Sequence, residues 1–129
     1  MYKRQLYASV EVHSSVQKAA ELLGLGHKAL RRIQVRKDMT IDPAALRAAI
    51  REDRAQGCLP FCVVGCAGTV NTGATDALEE LADLCTEEDL WFHVDGAFGA
   101  MAVLAPELRH IVKGLERADS IAFDMHKWM

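Results

Sequence analysis

The sequence predicts an α/β domain with a largely parallel sheet. Strand-like and helix-like segments alternate along its 129 residues with short connections between them, the order expected of βαβ units. The segments 61–66 and 90–94 are apolar almost throughout, as a parallel strand covered on both faces must be. Half the residues are hydrophobic and 26% are charged. That composition excludes charge-rich disorder, a collagen and a coiled coil. One domain is expected at this length.

Residues 6–12 read as the first strand. Ser14 or Ser15 is placed to cap the helix that follows, which runs to about Leu23 with Val16, Ala19, Ala20 and Leu23 on one face. Gly24 and Gly26 stop it. Residues 29–35 are the second strand. Asp42-Pro43 marks the next helix start, a capping carboxylate followed by proline at the first helical position. This helix covers 44–55, turns Leu46, Ala49 and Ile50 inward, and ends at Gly57. After the strand 61–66 comes a polar, glycine-punctuated turn, 67–73. Thr75-Asp76 is expected to cap a helix running to about Thr86, with Leu78, Leu81, Ala82 and Cys85 inward. The strand 90–94 ends at Asp95-Gly96, and 97–105 reads as a loop with a helical turn. Pro106 is expected to open a further helix carrying Leu108, Ile111, Val112 and Leu115. Residues 119–123 form the last strand, followed by Asp124-Met-His-Lys-Trp-Met.

The formal net charge is −3, unevenly spread. Residues 1–64 carry 11 basic and 6 acidic side chains, and residues 65–129 carry 4 and 12. The basic excess centres on Lys28, Arg31, Arg32, Arg36 and Lys37, then on Arg47, Arg51 and Arg54. No aromatic residues interleave with them, so a solvated helix face explains Arg47, Arg51 and Arg54 better than a nucleic-acid surface does. Four cysteines without a C-x-x-C pair argue against structural zinc. Cys62 and Cys66 read as small hydrophobes in a buried strand. The start is too polar for a secretory signal, and no apolar run spans a bilayer. With free thiols, these features predict a cytoplasmic protein without a membrane partner.

Ligands of open α/β sheets bind beyond the carboxyl ends of the strands. Four strand ends carry polar groups here: His13-Ser14-Ser15, Gly68-Thr69 with Asn71 and Thr72, Asp95-Gly96-Ala97, and Asp124 with His126 and Lys127. Asp95 closes an apolar strand, where a carboxylate needs a cation or a donor; a turn residue would look the same. His93 lies on the same strand face and by itself reads as a core histidine. Lys127 follows an apolar strand and sits next to Trp128, a setting that favours an amine nucleophile, although a solvated lysine fits too. The i, i+2 pairs His93/Asp95 and Asp124/His126 also suit a divalent-metal hydrolase, a reading that gives Lys127 and Ala97 no purpose. A reactive lysine together with a carboxylate for a pyridine nitrogen is what pyridoxal phosphate requires.

The segments His13-Ser-Ser-Val-Gln-Lys-Ala, Gly68-Thr-Val-Asn-Thr-Gly-Ala, His93-Val-Asp-Gly-Ala-Phe-Gly-Ala and Asp124-Met-His-Lys-Trp resemble the group II pyridoxal-phosphate-dependent amino-acid decarboxylases, which include the aromatic-L-amino-acid and glutamate decarboxylases. The resemblance runs in order over essentially the whole chain. It implies a three-layer αβα arrangement with a mostly parallel sheet, as in the large domain of fold-type-I enzymes. It implies that Lys127 condenses with pyridoxal 5'-phosphate and that Asp95 pairs with the ring nitrogen. His13 would stack on one ring face and Ala97 on the other. Thr69 would line the cofactor pocket, His126 would lie near the phosphate or the reacting lysine, and His93 would neighbour Asp95. The implied reaction is decarboxylation of an L-amino acid to an amine. The implied partners are that small substrate and, in a full-length homodimer, a second subunit. Family members are several times longer, so residues 1–129 are expected to be a partial large domain, without the N-terminal segment and the C-terminal small domain. A non-catalytic remnant is a competing expectation, as is another reaction on the same cofactor, such as transamination.

Overall fold

A computed structural model describes residues 3–128. Five strands form one sheet: β1 (Arg4–Ser9), β2 (Leu30–Ile33), β3 (Leu59–Cys66), β4 (Trp91–Asp95) and β5 (Ser120–Ala122). Their order is β2-β1-β3-β4-β5, and every neighbouring pair is parallel. The helices are α1 (Ser14–Leu22), α2 (Pro43–Ala55), α3 (Leu78–Glu88) and the short α4 (Met125–Trp128).

The strand order dictates the layers. From β1 the chain steps outward to β2, then returns past β1 to β3 and continues to β4 and β5. Right-handed crossovers taken in opposite directions place their helices on opposite faces. One core accordingly lies on the α1 side, where Leu6, Ala8, Cys62, Val64 and Cys66 meet Val12 and Ala20. The other gathers Tyr7, Val63, Phe92 and Val94 with Leu46, Ile50, Leu81 and Leu84 of α2 and α3. Alternate residues of β1 and β3 thus enter different cores, so β3 is apolar on both faces.

Several local expectations are corrected. The cap of α1 is His13, not Ser14 or Ser15: its Nδ1 accepts the Ser15 N–H at 3.2 Å and lies 2.9 Å from the Ser15 hydroxyl. Asp42 caps α2 as predicted, its Oδ1 accepting the Ala44 N–H at 2.9 Å. Asp76 does not cap α3, which starts at Leu78. Its side chain turns inward and accepts the N–H groups of Ile41 at 2.7 Å and Cys66 at 2.8 Å. Burial pushes the Asp76 carboxyl above its ordinary range, and these two bonds oppose that shift. Between Pro106 and β5 there is no α-helix but two 3₁₀ turns, Arg109–Val112 and Leu115–Arg117. Gly114 stands between them with φ 96°, a left-handed conformation that breaks helical propagation. Only Val112 and Leu115 of the predicted apolar face are buried, while Leu108 and Ile111 stay exposed.

The charge asymmetry resolves within the fold. Arg47 reaches Glu87 at 2.6 Å, Arg54 pairs with Glu88, and Arg36 reaches Glu80 at 3.5 Å. The basic α2 thus faces the acidic α3. All four cysteines are buried free thiols, and burial pushes Cys62 up to about 11 and Cys85 up to about 12. Among the described residues no helix is long and apolar enough to cross a membrane.

Candidate active site

The reversal of winding direction between β1 and β3 leaves a crevice beyond their carboxyl ends, since the helices that follow these two strands depart to opposite faces. A cavity of about 540 Å³ opens there, within the range of cofactor sites. Four chain segments line it. The β1–α1 connection supplies His13, exposed, with its ring fixed by Ser15. The turn after β3 supplies Thr69, which is only 4% exposed. That turn is rigid: the Thr69 N–H donates to the Ala74 carbonyl at 2.9 Å, its carbonyl accepts from Gly73 at 2.8 Å, and its hydroxyl lies 2.6 Å from that of Thr72.

From β4 come Asp95 and Ala97. Asp95 is half-buried, and its Oδ1 accepts the Ala97 N–H at 3.2 Å. No cation pairs with Asp95 among the described residues, which leaves an acceptor facing the cavity. After β5 comes Lys127, whose Nζ lies 2.9 Å from Oδ2 of Asp124. The hydrogen bond from Lys127 holds the Asp124 carboxyl below its ordinary range.

Five of the seven residues predicted for the cofactor therefore line one cavity: His13, Thr69, Asp95, Ala97 and Lys127. Two do not. His126 is exposed on α4 and outside the lining. His93 lies one strand pleat behind Asp95, with Nδ1 2.7 Å from the Ser120 hydroxyl, and that hydroxyl accepts Trp91 Nε1–H at 2.9 Å. Burial pushes the His93 imidazole down, and Asp95 opposes that shift. The metal-hydrolase reading is corrected on the same geometry: among the described residues no three ligand side chains converge, because Ser120 engages His93 and His126 lies outside the cavity.

Cys66, read from the sequence only as a core residue, and Phe98 also line the cavity, and neither is assigned to the site by the sequence. Cys66 is the register partner of Asp95 on the neighbouring strand; period-two counting back from the strand end carries that signal. Phe98 has no comparable signal, because its place depends on the close approach of two loops. Gly99 makes that approach possible: its N–H donates to the Ala67 carbonyl at 2.9 Å, and a Cβ there would come within 2.6 Å of the same oxygen. Gly99→Ala is expected to destabilise the fold by about 1–3 kcal/mol, seen as a lower Tm. An unchanged Tm would show that the two loops are not locked together.

A half-buried carboxylate without a cation among the described residues, an amine, an imidazole and an alanine lining the same cavity suit a flat aromatic cofactor carrying a ring nitrogen and an aldehyde. The comparisons agree with that chemistry. Residues 1–129 match the family model described as "Pyridoxal-dependent decarboxylase conserved domain". An aromatic-L-amino-acid decarboxylase of Bacillus atrophaeus is 45% identical over 124 residues, covering 96% of this chain and 26% of the relative. The glutamate decarboxylase domain of a Vibrio parahaemolyticus diaminobutyrate-pyruvate transaminase and L-2,4-diaminobutyrate decarboxylase superposes with a TM-score of 0.93 at 41% identity, over 97% of this chain and 27% of that one. The structure of Oryza sativa TDC with PLP gives a TM-score of 0.91 at 35% identity, over 98% of this chain and 27% of that one. The chain thus spans about a quarter of the length of these relatives. With the sequence, the fold and the family model all in agreement over its whole extent, the chain belongs to the pyridoxal-dependent decarboxylase family.

Proposed function

We propose that the chain is the central part of the large, cofactor-binding domain of an enzyme that removes the α-carboxylate of an L-amino acid, giving an amine and carbon dioxide. The observation that carries this reading is the convergence of Asp95 and Lys127, from two different strand ends, on one cavity. When bound, pyridoxal phosphate supplies an electron-withdrawing ring that takes up the electron pair left as carbon dioxide departs.

The chain's own residues prepare the site for that chemistry. Asp95, whose Oδ1 accepts the Ala97 N–H, would hold the ring nitrogen of the cofactor, and a charge-assisted bond there would favour positive charge on the ring. Lys127 provides the amine that attaches the cofactor. His13 presents its ring as one wall of the slot, and Ala97 presents a methyl group as the other. Thr69 offers a hydroxyl from a turn tied by its own backbone bonds, which lowers the ordering cost of binding. His93, hydrogen-bonded to Ser120, neighbours Asp95 on its strand, and His126, outside the cavity lining, would serve near the cofactor's phosphate or the reacting lysine. We assign the full-length enzyme to the cytoplasm as a homodimer, with a small amino acid as its partner in the reaction. The buried free thiols support that compartment.

The test is attachment. Pyridoxal phosphate added to the protein is expected to give a visible absorbance, and borohydride reduction is expected to leave its mass on the peptide containing Lys127. Attachment at another lysine, or none, would overturn the reading.

A further inference from the structure

Within the cavity Lys127 already has a partner. Its Nζ sits 2.9 Å from Oδ2 of Asp124, three residues earlier across the start of α4. Both side chains line the cavity, and both are a little over one-third exposed. The other ionisable groups of the lining are His13 on the α1 side and Asp95 at the end of β4, and neither forms an ion pair with Lys127 among the described residues.

We propose that Asp124 is a built-in mask for Lys127, a carboxylate that holds the amine as its ion-pair partner until the cofactor aldehyde arrives. The proposal rests on the assignment of Lys127 as the attachment point and adds a residue that controls it. An amine attacks a carbonyl carbon through its nitrogen lone pair. Condensation forms one C=N bond and releases one water molecule and the ammonium proton. A carboxylate at hydrogen-bond distance favours the charged, unreactive nitrogen and also fixes its direction, so the pair must open before attachment. Once Nζ is consumed, Asp124 is left facing the cavity as an unpaired anion beside the reacting end, where the ammonium group of an incoming amino acid would meet it. The ion pair is exposed enough for salt to weaken it, which gives the mask a signature distinct from a purely structural contact.

The experiment needs no cofactor. Competitive acetylation of the protein with trace acetic anhydride, read by mass spectrometry, reports the reactivity of Lys127 relative to the exposed Lys37. Asp124→Asn keeps the side-chain shape and removes the charge. It is expected to raise the Lys127 to Lys37 ratio about two- to fivefold at low salt, the span of a typical exposed ion pair. Raising salt to about 1 M, where screening acts within about 3 Å, is expected to bring the wild-type ratio up towards that of the variant while the variant changes little. Asp124→Glu, which keeps a carboxylate within reach, is expected to restore protection. An equal ratio in wild type and Asp124→Asn, or a ratio that salt does not move, would overturn the mask. The outcome is separable from the functional reading: failed attachment of pyridoxal phosphate with an intact acetylation effect overturns the functional reading and leaves only an ion pair that protects Lys127, whereas attachment without the acetylation effect overturns the mask alone.

Discussion

Asp95→Asn is expected to slow decarboxylation by the full-length enzyme about 10²- to 10³-fold, the effect of removing one preorganised electrostatic partner from a reacting centre. Asparagine keeps the shape of the side chain, and its carbonyl oxygen still accepts the Ala97 N–H that Oδ1 accepts at 3.2 Å. The loop after β4 therefore stays in place. The charge that would hold a proton on the ring nitrogen is lost, and with it the ring's capacity to take up the electron pair of the departing carboxylate. The half-burial of Asp95 strengthens the effect, because a charge-assisted bond is worth more where water is partly excluded. Cofactor attachment through Lys127 is expected to persist, as is the melting temperature to within a few degrees. Single-turnover rates with a saturating amino acid separate the two contributions. An unchanged rate in a loaded, folded variant would remove Asp95 from its role opposite the ring nitrogen.

The site was legible in the sequence to the extent that it depends on strand ends. Parallel strands deliver their C-terminal residues to one edge, so His13, Thr69, Asp95 and Lys127 could be expected together once the alternation of elements was read. What the sequence did not reveal are features made by packing. Asp76 follows the pattern of a helix cap, yet two backbone N–H groups, 35 and 10 residues away, compete for its carboxylate and win it. Residues 106–115 carry a helical period, yet Gly114 interrupts it. Arg31 belongs to a run of basic residues for which the sequence suggests no partner. Its guanidinium instead reaches Glu52 and Asp53, both at 2.9 Å, 21 and 22 residues away. Long-range polar pairing leaves no periodic trace in a sequence, whereas apolar burial does, and the errors fall accordingly on charged residues and the successes on strands and helices.

That last network supports the largest stability effect. Asp53, on α2, is 1% exposed. It accepts the hydroxyl of the fully buried Tyr7 on β1 at 2.8 Å through Oδ2, and Arg31 Nη1 on β2 at 2.9 Å through Oδ1. One carboxylate thereby ties two strands to the helix that crosses them. Burial, and then the bond to Asp53, push the Tyr7 hydroxyl well above its ordinary range, which favours the protonated, donating form. Asp53→Ala leaves that donor without a partner in the core and opens a void beneath α2. Arg31, about one-third exposed on its side chain, loses one limb of its fork but keeps Glu52. The orphaned hydroxyl and the cavity therefore dominate the loss. Removing one member of a buried ionic network costs about 3–5 kcal/mol, which for a domain of this size lowers Tm by roughly 10–20 °C. Tyr7→Phe removes only the donor and leaves Asp53 paired with Arg31, so about 1–2 kcal/mol is expected. Adding Tyr7→Phe to Asp53→Ala should then cost less than the two single changes suggest, because the orphan has already gone. Thermal melts of the three variants test this. Strict additivity, or a Tm loss below about 4 °C for Asp53→Ala, would show that water reaches the Tyr7 hydroxyl and that apolar packing alone holds α2 on the sheet.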